Sequence, residues 1–361
     1  MFQMTPAVFV VGREYHIMLP VDREVTMWVK VGNKTYYDQS NGILRSNNYV
    51  HKVSVPMKEL DRKKQNTVYL RTIVNRKPYF TETAEVEVKE YEFHPVCGES
   101  VRAYHISDAH NCVEEPVKAA KLFGDIDFLI LNGDIPDHCG EERNVLTIYR
   151  LISELTHGCV PTVFSRGNHD MRGKYAEKFA EYTPCENGRS YYTFRLGGIW
   201  GLILDCGEDK MDEHAEYGHT ICCHDFRERE TEYIRKVIAT AEEEYESNGV
   251  THKMVVVHNP FTRKYKGMIE EEIYEQWAVL LKEYVKPHFI LCGHTHKYEI
   301  YPCGNDEMLL AQPCAVVVGS ERRNLGEDAV LFGGVGLEFD SNGIMISYTN
   351  SVGERKETVR I

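Results

Sequence analysis

The sequence predicts an all-β segment over residues 1–95 followed by an α/β domain over residues 96–361, a β-sheet flanked by helices. Three observations carry this. Before about residue 95 the apolar residues fall in short alternating or β-branched runs; after about residue 100 such runs alternate with stretches of helical period; and several later runs end in loops bearing Asp, Asn or His.

In the first segment the expected strands are Ala7 to Val11, Val25 to Val31, Tyr49 to Val55, Val68 to Val74 and Ala84 to Val88. Asp22-Arg23, Gly32-Asn33, Ser40-Asn41-Gly42 and Asn75-Arg76 separate them with turn chemistry, at spacings suited to a small β-sandwich. No run has a helical period and no catalytic cluster is present. The expectation is a packing module or a surface for homo-oligomerisation, with ligand binding as the sharper alternative.

Glu90 to Ser100 reads as a linker. Val101 to Ile106 is then a strand leading into Ser107-Asp108-Ala109-His110, Glu115 to Phe123 a helix, and Phe128 to Asn132 a strand opening into Gly133-Asp134. Arg143 to Leu155 has an amphipathic helical pattern, and Val160 to Ser165 a strand before Gly167-Asn168-His169-Asp170. Strands follow near Tyr191 to Phe194 and Ile199 to Leu204. Cys206 to Glu228 is polar and reads as a long loop, a candidate lid, and Asp225 to Ser247 as a charged helix. Lys253 to Val257 delivers His258, Met268 to Tyr284 is a helix, and Phe289 to Cys292 delivers Gly293-His294-Thr295-His296; mainly strands follow Tyr298.

The 42 Lys and Arg against 55 Asp and Glu leave a formal net charge of −13 at pH 7. A long polyanion meets general repulsion from such a surface, which argues against nucleic acid as partner unless a local basic groove offsets it. No run reaches membrane-spanning length, so no membrane partner is expected. No signal peptide is visible, and the eleven cysteines are scattered without a disulfide rhythm, which predicts a reduced, cytoplasmic protein.

Five strand ends thus present Asp, Asn or His: Asp108 with His110, Asp134, Asn168 with His169, His258, and His294 with His296. One such residue would mean little, but five together point to metal. Imidazole and carboxylate donors suit Zn, Mn or Fe. Side chains two apart on an extended segment point to one side, so Asp108 with His110, and His294 with His296, can face one cavity.

Asp108-x-His110, Gly133-Asp134-x-x-Asp137, Gly167-Asn168-His169-Asp170, His258 and Gly293-His294-x-His296 resemble, in order, the motif set of the calcineurin-like metallophosphoesterases. The resemblance implies a β-sandwich flanked by helices (α/β/β/α), here preceded by a fibronectin III-like module as in purple acid phosphatases. It implies two divalent or trivalent metal ions, Mn, Fe or Zn. Asp108, His110, Asp134 and His296 would hold one, and Asp134, Asn168, His258 and His294 the other, with Asp134 bridging. It further implies hydrolysis of phosphate esters by a hydroxide lying between the metals. His169 would stabilise the transition state or protonate the leaving group, Asp170 would orient His169, and Arg172 would bind a phosphate oxygen.

Purple acid phosphatases carry a Tyr ligand where this chain has Asp137, and they lack the counterpart of His110; a purple iron–tyrosinate colour is therefore not expected. Asp137 is read as accepting a hydrogen bond from a ligand His. His105, His138, His214, His219 and His224 occupy no motif position and are set aside, as is Cys222-Cys223-His224, which has no second pair at metal-binding spacing. The expected substrate is a small phosphorylated compound, monoester or diester. The alternatives are a nuclease acting on single strands and a non-catalytic scaffold that keeps the fold.

Overall fold

Alternation along one strand sets the layers. In the computed structural model, which describes residues 3–264, 268–304, 310–326 and 329–361, Phe128–Asn132 is buried on both faces. Phe128 and Ile130 enter one apolar core while Leu129 and Leu131 enter another, as the two-residue period of a strand requires. His252–Val256 behaves alike: Met254 and Val256 join the first core, and Val255 a third. The first core therefore lies between two sheets. Each of its fully buried Val, Ile or Phe side chains contributes about 1.5–3 kcal/mol.

The larger sheet runs in the order Arg355–Arg360, Gly343–Asn350, Ala329–Asp340, Val101–Ile106, Phe128–Asn132, Thr162–Ser165, Ala7–Val11, Glu14–Pro20, Val50–Pro56, with Glu321–Gly326 also paired to Ala329–Asp340. The helices Glu114–Phe123 and Thr147–Thr156 cover its outer face through Val117, Ala120, Ile148 and Ile152. The second sheet runs Tyr192–Leu196, Ile199–Ile203, His252–Val256, Phe289–Cys292, Ala315–Gly319, Tyr298–Tyr301. Against its outer face lie Cys223–Ala239 and Glu271–Leu280, through Ile234, Val237 and Trp277.

The boundary expected at residue 95 does not divide the sheets. Ala7–Val11 pairs in parallel with Thr162–Ser165, and Glu14–Pro20 and Val50–Pro56 extend the same sheet. The cause is visible in Ala-Val-Phe-Val-Val, buried at every position: a strand apolar on both faces belongs inside a sheet covered on two sides. Of the remaining early strands, Gln39–Ser40 pairs with Ile43–Leu44, and Lys34–Tyr37, Val25–Val31, Gln65–Asn75 and Glu82–Glu92 form a separate four-stranded sheet. Its Val25, Met27, Val29, Val68 and Leu70 share the first core with Ile17 and Val55 of the large sheet.

Several helix expectations shift. A short helix, Met57–Lys63, stands where none was expected. The pattern over Arg143 to Leu155 is divided into Glu142–Val145 and Thr147–Thr156. The charged helix begins at Cys223 and ends at Ala239 rather than Ser247: Thr240 bonds through Oγ1 to the carbonyl of Lys236, and glutamates 242–244 would meet the negative end of the helix. Among the described residues no helix is long and apolar enough to cross a membrane.

Candidate metal centre

Val101–Ile106, Phe128–Asn132 and Thr162–Ser165 are parallel, as are His252–Val256 and Phe289–Cys292. Their C-terminal ends therefore share an edge, and the loops leaving them carry the expected donors to one place. Asp108 (φ 57°), His110 (44°), Asp134 (53°), His294 (71°) and His296 (56°) all adopt left-handed backbone conformations. Each costs of order 1–3 kcal/mol in a non-glycine residue and persists only where the surroundings enforce it. The motif glycines allow the loops to close: a Cβ on Gly293 would lie 1.8 Å from Ser107 Oγ, and one on Gly167 2.3 Å from Asp134 Oδ1.

Three groups of donors result, two of which carry the expected ligands, while the third, His110, Asp137 and His169, shares His110 with the first. Asp108, His110 and His296 have ligand atoms within 4.8 Å of one another, as do Asp134, His258 and His294. Asn168 joins the second group, its Oδ1 3.0 Å from His294 Nδ1. Between the groups, Asp108 Oδ1 lies 3.4 Å from His296 Nε2, 3.8 Å from His258 Nε2 and 4.0 Å from His110 Nε2. Asp134 Oδ2 lies 3.1 Å from His258 Nε2. All seven expected ligands are thus brought together.

Whether these residues fit a cation can be read from their hydrogen bonds. Asp108 Oδ2 is saturated, accepting from Ser107 Oγ (2.7 Å), Ser320 Oγ (2.5 Å) and the His294 amide (2.9 Å). Asp108 Oδ1 is fully buried with no hydrogen-bond partner, and His258 Nε2, equally buried, faces only carboxylates, 3.1 Å from Asp134 Oδ2 and 3.8 Å from Asp108 Oδ1. His258 Nδ1 donates to the Asn132 carbonyl at 2.7 Å, which turns Nε2 toward the carboxylates. A buried unpartnered carboxylate oxygen is costly, and a cation beside it removes the cost. His110 Nε2 and His296 Nε2 face each other at 3.1 Å, an arrangement that also suits a cation between lone pairs. The donor set fits metal.

The electrostatics agree. Burial opposes charge on Asp108, but His258 and His296 hold its carboxyl well below the usual range. Burial likewise opposes charge on His258, yet Asp134 and Asp108 outweigh it and lift its pKa to about 10. A cation at the same atoms would take over that neutralisation and leave the ring neutral. Burial pulls His110 down to about 4 and lowers His294 as well, so both rings are neutral at pH 7, the form that binds metal.

Two expectations are corrected. Asp170 does not orient the His169 ring: its Oδ2 accepts from the Gly167 and Asp134 amides at 2.6 and 3.1 Å and ties two loops together. His169 Nδ1 lies instead 2.6 Å from the Asp137 carbonyl oxygen. The reason is local, because His169–Met171 is a 3₁₀ turn and adjacent side chains on it diverge by about 120°. Arg172, read as free for phosphate, is held in a fork by Glu208, with Nε to Oε1 2.9 Å and Nη2 to Oε2 3.0 Å. Glu208 belongs to the expected lid, and its side chain is only 1% exposed, so it requires a cationic partner. Asp137, as expected, approaches a ligand ring, with Oδ1 3.2 Å from His110 Nδ1.

The profile of the calcineurin-like phosphoesterases matches residues 101–298, more than half of the chain and all five loops. The chain belongs to the calcineurin-like phosphoesterase family. No curated protein matches this calcineurin-like phosphoesterase. Among solved structures it is similar to a purple acid phosphatase, PPD1, isolated from yellow lupin (Lupinus luteus) seeds. The TM-score is 0.62 at 14% identity, over 98% of this chain and 73% of that one, a likeness of fold that extends through the N-terminal strands. It is also similar to Vps29 from Chaetomium thermophilum (TM-score 0.32, 10% identity, 73% of this chain and 96% of that one). A third is a conserved uncharacterised protein, a predicted phosphoesterase, from Streptococcus pneumoniae (0.29, 12%, 73% and 100%).

Some residues at this phosphoesterase's site escaped sequence reasoning. Ser107, beside Asp108, could have been found from its place in the motif. Asn132, whose Nδ2 donates to the carbonyls of Val257 and Leu291, stands just before Gly133. Ser320 and Glu208 left no signal, since each meets its partner across a long stretch of chain.

Proposed function

We propose that this phosphoesterase is a two-metal hydrolase of small phosphate esters. The carrying observation is the buried Asp108 Oδ1, which has no hydrogen bond, facing His258 Nε2 at 3.8 Å amid three further imidazoles and Asp134. Asp108, His110, Asp134 and His296 would hold one ion, and Asp134, Asn168, His258 and His294 the other, with Asp134 shared. Mn, Fe or Zn suits this nitrogen and oxygen set. Such ions polarise phosphoryl oxygens and lower the pKa of water from about 15.7 toward 7.

The chain's own residues supply the rest. His169 is anchored through Nδ1, and its Nε2, which Arg172 Nη1 approaches at 3.4 Å, would turn to the departing oxygen, while Arg172 itself is balanced by Glu208, Asp209 and Glu216. Asp137 orients His110 from behind. The net charge favours a small substrate over long nucleic acid and, with the cysteine usage, a cytoplasmic setting.

The test is metal analysis of the purified protein together with hydrolysis of an aryl phosphate and an aryl phosphodiester in Mn. About two equivalents of bound metal with turnover of either ester supports the reading; tight metal binding without turnover on both sinks it.

A further inference from the structure

A cavity of about 330 Å³ opens against His294 and Thr295, near the lower end of the roughly 300–1,000 Å³ of small-ligand sites. Its walls include Phe261, Met268, Ile269 and Tyr274. Phe261 is 3% exposed and braced by Tyr274 and Trp277, with ring centroids at 5.7 and 5.6 Å. This wall is therefore preformed. Among the described residues the one arginine or lysine on the lining, Arg263, is already balanced by Glu299 at 3.2 Å and lies over the Tyr301 ring. The lining also carries Asp209, itself 3.4 Å from Lys210 Nζ and 3.6 Å from Arg172 Nη2.

These features select among the organic groups a phosphate ester could carry. A polyphosphate chain would bring negative charge to a lining whose arginine is already neutralised by Glu299 and whose carboxylate adds no attraction for it. A polyol or sugar would press several hydroxyls against apolar walls, each at a cost of about 1–3 kcal/mol when unpaired. An uncharged aromatic ring would bury its area and meet Phe261 and Tyr274 in the edge or offset geometry that rings prefer.

Resting on the phosphoester reading above, we infer that this cavity receives the organic group of the substrate and that this group is an uncharged aromatic ring system. The ring is seated beside His294, so the cavity sets specificity without taking part in the chemistry.

Calorimetry on the Mn-loaded full chain would compare benzylphosphonate with methylphosphonate, which share an anionic head and differ by the ring; hydrolysis of benzyl phosphate would be compared with that of glycerol 2-phosphate, whose leaving alcohol is of similar acidity. We expect the ring to improve both affinity and kcat/KM by at least about tenfold. Met268→Trp, which fills the cavity, should bring the affinity ratio toward one, and Met268→Ala, which widens it, should shift preference toward a naphthylmethyl phosphonate. Equal binding of the two phosphonates, with hydrolysis intact, would overturn the cavity's role alone. No binding of either and no hydrolysis would overturn the phosphoester reading and this inference with it.

Discussion

His169 Nδ1 lies 2.6 Å from the main-chain carbonyl oxygen of Asp137. A carbonyl only accepts, so Nδ1 carries the proton, and Nε2 faces Arg172 Nη1 at 3.4 Å and Asp134 Oδ2 at 4.0 Å. The ring is thereby presented to the metal-ligand cluster beside His110 and Asp137, with which it forms a further group of close donor atoms. His169→Ala should lower kcat by about 10²–10⁴-fold while metal content, measured on the same sample, is unchanged. Full turnover in that variant would remove His169 from the chemistry.

Asp134 is shared between the ligand groups in the proposed arrangement. Asp134→Asn removes the negative charge that would neutralise two cations, and both metal content and hydrolysis should fall together. A loss of roughly 10³-fold in kcat/KM corresponds to the several kcal/mol that metal-ion charge stabilisation supplies. Metal-replete protein with normal turnover would contradict the shared role.

Asp137 tests support from behind a ligand. Asp137→Ala keeps the carbonyl that holds His169 but removes the acceptor on His110 Nδ1. Metal affinity, read by chelator competition, should drop about 10–100-fold.

The fork between Arg172 and Glu208 pins residues 206–222 to the site. Burial disfavours charge on Arg172, but its hydrogen bond to Glu208 is the larger effect and raises its pKa further. Lysine keeps the charge but cannot make two parallel bonds. Arg172→Lys should therefore make this segment markedly more sensitive to limited proteolysis, while the thermal transition of the rest of the chain moves by only a few degrees.

Asp170 predicts a pH dependence for the chelated protein. Burial first, and the Asp134 carboxylate second, push its pKa up to about 8. The folded chain then keeps a proton that the unfolded chain releases above about pH 4. Its contribution to stability is complete below that pH and is lost as pH rises to about 8. Melting temperature of the chelated protein should fall across this window, and Asp170→Asn, which preserves an acceptor for the Gly167 and Asp134 amides, should flatten the fall. An unchanged slope in the variant would assign the dependence elsewhere.

Much of the site was legible before any coordinates. Short apolar runs ending in Gly-Asp, Gly-Asn-His and Gly-His-x-His announce strands whose tips carry donors, because strand periodicity and glycine at tight turns are local properties written in adjacent residues. The same locality explains why Asp137 could be placed behind a ligand His: it sits three residues after Asp134 in the same loop.

What the residues alone determined is therefore the donor inventory, the alternating architecture after residue 100 and the family resemblance. Only the tertiary structure decided that Ala7–Val11 completes the large sheet, that Asp170 braces loops while a carbonyl holds His169, and that Glu208 occupies Arg172. Each of those depends on partners separated along the chain, or on the direction a 3₁₀ turn gives neighbouring side chains. A partner is chosen by burial and charge balance in the folded state, and no local pattern encodes which distant carboxylate, carbonyl or strand edge will be there to meet it.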